Sequence, residues 1–362
     1  MKLLILCEDY PNQDGGRAMA FAHTRNLAYA QKGICVEVLN FSSSEDYVID
    51  GINVFCKSSI RKMNIEHYDI LVAHAPNIKS HLMFFLKYIN KIKRLVLFFH
   101  GHEVLKINEV YSKPYDYSKD NIAKVIFQNI YDDFKFVVWR FFINKYYEKM
   151  FFVFVSKWMK IQFLHWVHPK EEIINGRSSI TYNSVSNVFE DNHYDANAPK
   201  EFDYITIRGN LDGSKYAIDI VNDLAKNNPQ NSFLIIGKGD FFKHYKKSEN
   251  ITWMNCTLKQ QEMIRWMNKS RCALMPTRTD AQGVMMCEME AFGMPVITSD
   301  ILVCHEVFDG FKNVAFINND IHDIDLSLIY NRIRNYRGKH EKYFLKNTAA
   351  KEITLFKSLV IG

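Results

Sequence analysis

Short apolar runs bounded by polar residues recur along the chain, and the stretches between them return their apolar residues every three or four positions. The runs at residues 3–7, 35–40, 70–73 and 95–100 have the length and continuity of strands buried on both faces. Residues 18–32 carry the helical period between the first two runs, and residues 152–156 add a strand before a helix that starts near Lys157. A polar stretch rich in Asn and Ser, residues 183–199, then interrupts the pattern. It restarts at 204–207, 233–236, 272–276 and 295–298. Strands alternating with helices predict parallel α/β sheets, and the restart predicts a second Rossmann-like domain. The expected division is 1–190, 200–344 and a last helix, 345–362.

Length agrees with two domains, because 362 residues exceed what one ordinary core supports. With 48% hydrophobic and 24% charged residues and no low-complexity run, the chain reads as a globular enzyme. The start, MKLLILCEDYP, turns acidic too soon for the apolar core of a signal peptide and reads as a first buried strand. Seven cysteines without a CxxC pair point to a reducing cytoplasm, and away from a disulfide frame or structural zinc.

Net charge is +6, and residues 1–190 hold most of it, with 24 Lys and Arg against 19 acids. Residues 134–155, FKFVVWRFFINKYYEKMFFVFV, mix aromatics with Lys135, Arg140, Lys145 and Lys149, which excludes a simple membrane span. Two readings stay open there. One is a packed helix with a basic outer face, followed by a strand; the other is a surface that touches anionic lipid at the inner face of the cytoplasmic membrane. The charge is modest and no recognition motif accompanies it, so nucleic acid is not an expected partner.

The chemistry concentrates in residues 276–296, PTRTDAQGVMMCEMEAFGMPV. Asp280 precedes Gly283, whose missing side chain lets the N–H groups of a following helix start, from Val284 on, approach an anion closely. Glu288 falls in an otherwise apolar run, where a carboxylate needs donors such as paired sugar hydroxyls. Glu290 lies about 200° further round the helix, so the two glutamates cannot share one task. Gly293 and Pro295 end the helix. This order of acid, glycine and acid suits a nucleotide-linked sugar, whereas taken singly Asp280 could be a helix N-cap and Glu288 a satisfied half-buried acid.

Four more segments carry candidates. Residues 205–219, ITIRGNLDGSKYAID, set Arg208 at a strand end and Lys215 in the first turn of the next helix, where a cation is tolerated if an anion is shared. His100 stands at the end of the strand in LVLFFHGHE, and with His102 and Glu103 it lacks the spacing of a metal-binding helix. Asp14, Gly15 and Gly16 form a glycine loop after the first strand, and Gly237, Lys238 and Gly239 another after FLII. Each has an ordinary alternative, a solvated cation or a plain strand-to-helix turn.

The segment from Asp280 to Glu288 resembles the D/E-x7-E motif of family 4 glycosyltransferases, retaining enzymes of the GT-B architecture. The usual first acid there is glutamate, and Asp280 is one methylene shorter. The resemblance implies two Rossmann-like domains with parallel sheets facing an interdomain cleft, and a last helix that crosses back to the first domain. It implies a UDP- or GDP-sugar as donor, no metal cofactor, and transfer to a glycan or lipid-linked glycan acceptor, such as a bacterial surface polysaccharide precursor. By the same resemblance Asp280 holds sugar hydroxyls and Glu288 the ribose diol, while Lys215 neutralises the diphosphate. The family's arginine spacing falls on Asn210, with Arg208 two residues earlier. His100 matches the family's histidine near the donor sugar, Gly15 and Gly16 its Gly-Gly turn, and Gly237 its glycine turn near the nucleotide. The alternatives are a sugar-nucleotide epimerase, a glycan phosphorylase, or a non-catalytic membrane-associated partner. A nicotinamide oxidoreductase is disfavoured, because no G-x-G-x-x-G follows the first strand.

Overall fold

The structure, a computed structural model, describes residues 1–12, 18–336 and 338–361. By contacts the chain divides into two compact units, residues 1–107, 129–184 and 345–362 in the first, and 108–128 and 185–344 in the second. The segment 108–128 joins the second unit through hydrogen bonds from Tyr115 to Asp219 at 2.9 Å and from Tyr117 to Asp212 at 2.7 Å.

The first unit is built on eight strands: β1 (Lys2–Cys7), β2 (Cys35–Asn40), β3 (Tyr47–Ile49), β4 (Ile52–Cys56), β5 (Ile70–His74), β6 (Leu95–Phe99), β7 (Met150–Phe154) and β8 (Ser178–Ile180). Their order is β3-β4-β2-β1-β5-β6-β7-β8, parallel throughout except for the β3/β4 hairpin. The apolar runs of β1, β5 and β6 are buried on both faces, as a parallel sheet covered by helices requires. Behind β1, the helices Ala20–Gln31 and Leu345–Ile361 share a buried ion pair, Arg25 Nε to Glu352 Oε1 at 2.9 Å. Asn183 Oδ1 and the Tyr182 carbonyl accept from the same guanidinium at 3.1 and 3.2 Å.

The long helix Ile122–Tyr146 presents a largely apolar outer face, with Lys124 and Lys145 also exposed on it. Lys135 is buried and donates to the His102 and Leu105 carbonyls at 3.0 Å and to Asp132 at 2.6 Å. Arg140 and Lys149 also turn to backbone carbonyls, Val167 and Ile89, at 2.7 and 2.8 Å. These contacts hold Arg140 and Lys149 half-buried. The exposed apolar residues Ile122, Ile126, Phe127, Ile130, Phe134, Val137 and Phe141 form an arc of about 140° at 100° per residue. Among the described residues, no helix is long and apolar enough to cross a membrane.

The second unit has six parallel strands, β9 (Phe202–Asn210), β10 (Phe233–Lys238), β11 (Ile251–Met254), β12 (Ser270–Met275), β13 (Val296–Ser299) and β14 (Val314–Ile317). Their order is β11-β10-β9-β12-β13-β14. The chain leaves β9 toward β10 on one side and comes back to β12 on the other. The order therefore reverses between β9 and β12, and the carboxyl ends of strands at such a switch point are where open α/β sheets bind ligands.

Candidate active site

At that switch point the second unit holds a pocket of about 220 Å³, walled by Arg208 from β9, Ile236 from β10, and Asp280, Gly283 and Val284 from the loop and helix after β12. The alternation of a strand sends Thr206 and Arg208 to the same side. Thr206 Oγ1 donates to the Leu274 carbonyl at 2.5 Å, and one Arg208 terminal nitrogen to the Pro276 carbonyl at 2.7 Å. Arg208 is only 6% exposed, and its Nε has no hydrogen-bond partner among the described residues. Its guanidinium lies 5.2 Å from the Tyr216 ring centre. Burial pulls its pKa down and the nearby Asp280 carboxylate opposes that pull. Because a guanidinium stays charged, the pocket wall carries a desolvated cation with a donor to spare.

Asp280 Oδ1 accepts the Gln282 N–H at 3.2 Å, which folds the loop onto the helix Val284–Ala291. Gly283 is needed here for its backbone. Its φ is +75°, and a Cβ would come within 2.1 Å of Met286 Cε. The first N–H groups of the helix have no partner within it, and these open beside Asp280. Glu288 lies one turn beyond Val284 on the same stripe, buried, and accepts the backbone N–H of Ser186. Burial lifts its pKa to about 7. Glu290 is buried as well, 3.5 Å from His340 Nε2, and burial lifts it to about 8. The helix is thus enclosed around its circumference, and the two glutamates face different neighbours.

Lys215 does not sit in the first turn of the helix that follows it. It belongs to a tight turn, Ser214–Tyr216, because Ala217 adopts φ 54° and ψ 41° and the helix Ile218–Asn227 starts only after it. The ammonium lies 4.8 Å from the Tyr216 ring centre and 5.3 Å from that of Tyr111. The Lys215 carbonyl accepts the Arg278 N–H at 2.9 Å and Thr277 Oγ1 at 3.0 Å. Arg278 in turn grips Asp219 with two contacts, 2.8 and 2.6 Å. This pair fastens the Lys215 turn to the loop of Asp280 and was missed in the sequence, although Arg278 stands two residues before Asp280.

Asn210 is exposed and its Oδ1 accepts the Asp212 N–H at 2.8 Å, so it shapes a turn while Arg208 faces the pocket. Gly237 is not in a turn but within β10. A Cβ there would meet the Arg208 carbonyl at 2.4 Å, so its bareness lets β10 close against β9 behind the pocket.

In the first unit, His100 follows β6, with Nε2 3.2 Å from Nδ1 of His74 and its ring 4.5 Å from that of Phe21. Burial and the Arg25 charge hold it far below the usual histidine range, so it is a neutral hydrogen-bonding group. Glu103 fixes the turn by accepting the N–H groups of His100 and Gly101, the latter at 3.0 Å. Sequence spacing alone could not single out His74 or Glu103 in this role. Gly15 and Gly16 lie outside the described residues.

Residues 204–325 match the family model described as glycosyl transferases group 1. No curated protein sequence matches the chain. Among solved structures, the chain is similar to sucrose-phosphate synthase (tll1590) from Thermosynechococcus elongatus, at 12% identity and TM-score 0.65, covering 100% of this chain and 97% of that one. It is similar to a glycosyltransferase from Rickettsia africae ESF-5 at 10% identity and TM-score 0.69, covering 99% and 98%. Anabaena Alr3699/HepE, solved in complex with UDP and glucose, matches at 13% identity and TM-score 0.65, covering 99% of each chain. At these identities the likeness carries the fold, which is GT-B.

Proposed function

We propose that the chain, whose residues 204–325 match the model described as glycosyl transferases group 1, moves a sugar from a nucleoside diphosphate sugar to an acceptor hydroxyl with retention of anomeric configuration. The observation that carries this reading is Arg208, a buried guanidinium whose Nε has no partner among the described residues, at a pocket also lined by a glycine-led helix start. Such a wall calls for an anion, and a diphosphate beside sugar hydroxyls matches both the charge and Asp280. The solved complex of HepE with UDP makes a uridine donor the first to try, with guanosine second.

In this reading Arg208, Lys215 and the helix start take up the charge that grows on the leaving diphosphate, Asp280 holds sugar hydroxyls and Glu288 the ribose diol. The acceptor proton leaves with the departing phosphate oxygen. Side-chain cations face the diphosphate, so turnover should survive a chelator. The acceptor is a glycan or lipid-linked glycan of a bacterial surface polysaccharide, met at the cytoplasmic face of the membrane. Supporting the membrane is the exposed stripe of Phe127, Phe134 and Phe141 on the helix Ile122–Tyr146 in a chain of net charge +6. Phe134→Ser with Phe141→Ser should abolish sedimentation with anionic liposomes while nucleotide binding persists.

The test of transfer follows donor loss and product structure by NMR, with UDP-glucose or GDP-mannose and a bacterial lipid extract. The expected product keeps the donor's anomeric configuration, read from the coupling of its anomeric proton. An inverted product would overturn the retaining assignment. Conversion of the donor without acceptor would replace transfer with epimerisation, and a demand for free phosphate would replace it with phosphorolysis.

A further inference from the structure

The first unit holds a second and larger pocket, about 800 Å³, that the reading above leaves unused. It lies at the carboxyl ends of β2, β4 and β5, a position where parallel sheets gather ligands. Phe41 follows β2, the turn Lys57–Lys62 follows β4, and the helix Met83–Tyr88 follows β5. The floor is apolar and aromatic. Phe41 and Phe84 are buried with ring centres 6.0 Å apart, and Tyr88 lies 4.9 Å from Phe84.

The rim has the opposite character. Lys57, Arg61, Lys79 and Lys87 line the pocket and are exposed, and among the described residues no acidic one is in its walls. None of the four has a carboxylate within ion-pair distance among the described residues. Lys79 acts at longer range on the Glu8 carboxylate and Lys87 lies 5.2 Å from the Tyr88 ring centre, but four cations at one rim still repel one another, and an anion relieves that repulsion. On the pocket's helix, Met83 and Leu86 are exposed, with Met83 itself in the wall, so the apolar surface continues outward from the floor past the cations.

An apolar floor, a cationic rim and an apolar lip are the complement of one ligand class. A free phosphate or a nucleotide would leave the floor and Met83 in water, and a neutral lipid would leave four cations without use. We propose that this pocket binds a lipid phosphate, its phosphoryl group among Lys57, Arg61, Lys79 and Lys87 and its hydrocarbon chain along Phe84 and Met83. This rests on the transfer reading above and names its acceptor class as a phosphate- or diphosphate-linked lipid. Ser44 at the rim adds a hydroxyl donor for a phosphoryl oxygen, whereas the Ser43 hydroxyl already donates to the Glu45 carbonyl at 2.7 Å.

The test is calorimetric titration of the full chain with farnesyl phosphate, farnesol and inorganic phosphate in parallel, and of the double variant Arg61→Glu, Lys79→Glu. UDP binding is measured on both proteins as an independent readout. Farnesyl phosphate should bind at least tenfold more tightly than either farnesol or inorganic phosphate. The double variant should lose at least tenfold of that affinity, with UDP affinity unchanged and the melting temperature kept, since both side chains are exposed. Equal affinity for farnesol, equal affinity for inorganic phosphate, no binding at all, or an unaffected double variant would each overturn the proposal. If wild-type protein binds farnesyl phosphate but neither UDP nor GDP, the lipid site stands and the transfer reading falls.

Discussion

Glu288 gives the donor site a pH dependence that can be worked out in advance. Its carboxyl is buried, and burial raises its pKa from 4.5 to about 7. To accept hydrogen bonds from both ribose hydroxyls it must be ionised, so donor binding competes with the proton. At pH 6 about one protein in ten has Glu288 ionised and at pH 8 about nine in ten, so the Kd for a sugar nucleotide should tighten about tenfold over that range, roughly 1.4 kcal/mol. UDP-glucose is the right probe, because its esterified diphosphate lacks the second ionisation that UDP would add near pH 6. Calorimetry in two buffers of different ionisation heat should also register proton release on binding at pH 6.5, and Glu288→Gln should abolish both the slope and the release. The sign for stability is opposite. The folded chain holds this proton more tightly than the unfolded one, so the contribution is full below pH 4.5 and is lost as pH rises through about 7, roughly 3 kcal/mol over the whole interval. A pH-independent Kd, or a slope that persists in Glu288→Gln, would refute the assignment of Glu288 to the ribose.

Four further outcomes follow from the geometry. Arg208→Met keeps most of the side-chain volume, so it should leave a folded protein whose UDP-glucose Kd is at least tenfold weaker, while Lys215→Ala should lower turnover with an unchanged melting temperature. Gly283→Ala places a Cβ at φ +75° and against Met286, which should destabilise the protein by about 1–3 kcal/mol in denaturant titration. Glu352→Ala strips the buried Arg25 of its counter-charge and should cost about 3–5 kcal/mol by the same measurement.

The strands buried on both faces were legible in the sequence, because their apolar runs are continuous: residues 35–40 match β2, and β1, β5, β9 and β10 differ only at their ends. Edge strands were not read. β3, β8, β11 and β14 are short, and of these β3 and β8 are nowhere fully buried, so their alternation is too weak to separate from loops. The β3/β4 hairpin did leave a signal, since Asp50 and Gly51 both take positive φ in its two-residue turn, and Asp-Gly is the dipeptide that favours it. At the site, Asp280, Gly283 and Val284 could be grouped because they are neighbours in sequence, and Arg208 joins them across the β9/β12 pairing. The Arg278 to Asp219 grip spans 59 residues and leaves no local trace. Gly237 was open to a turn reading because the backbone that needs its bareness, the Arg208 carbonyl, comes from another strand. The start of the helix after Lys215 was misplaced because Ala217 takes a left-handed conformation that alanine rarely adopts.

The central claim is that the Arg208 pocket holds the diphosphate of a sugar nucleotide. It is tested most directly by calorimetric titration of the wild type and Arg208→Met with UDP, GDP, UDP-glucose and GDP-mannose, with magnesium and with chelator. One nucleotide should bind selectively, equally well in both conditions, and lose at least tenfold in affinity in the variant. No binding of any of the four, or binding that Arg208→Met leaves intact, would contradict the claim.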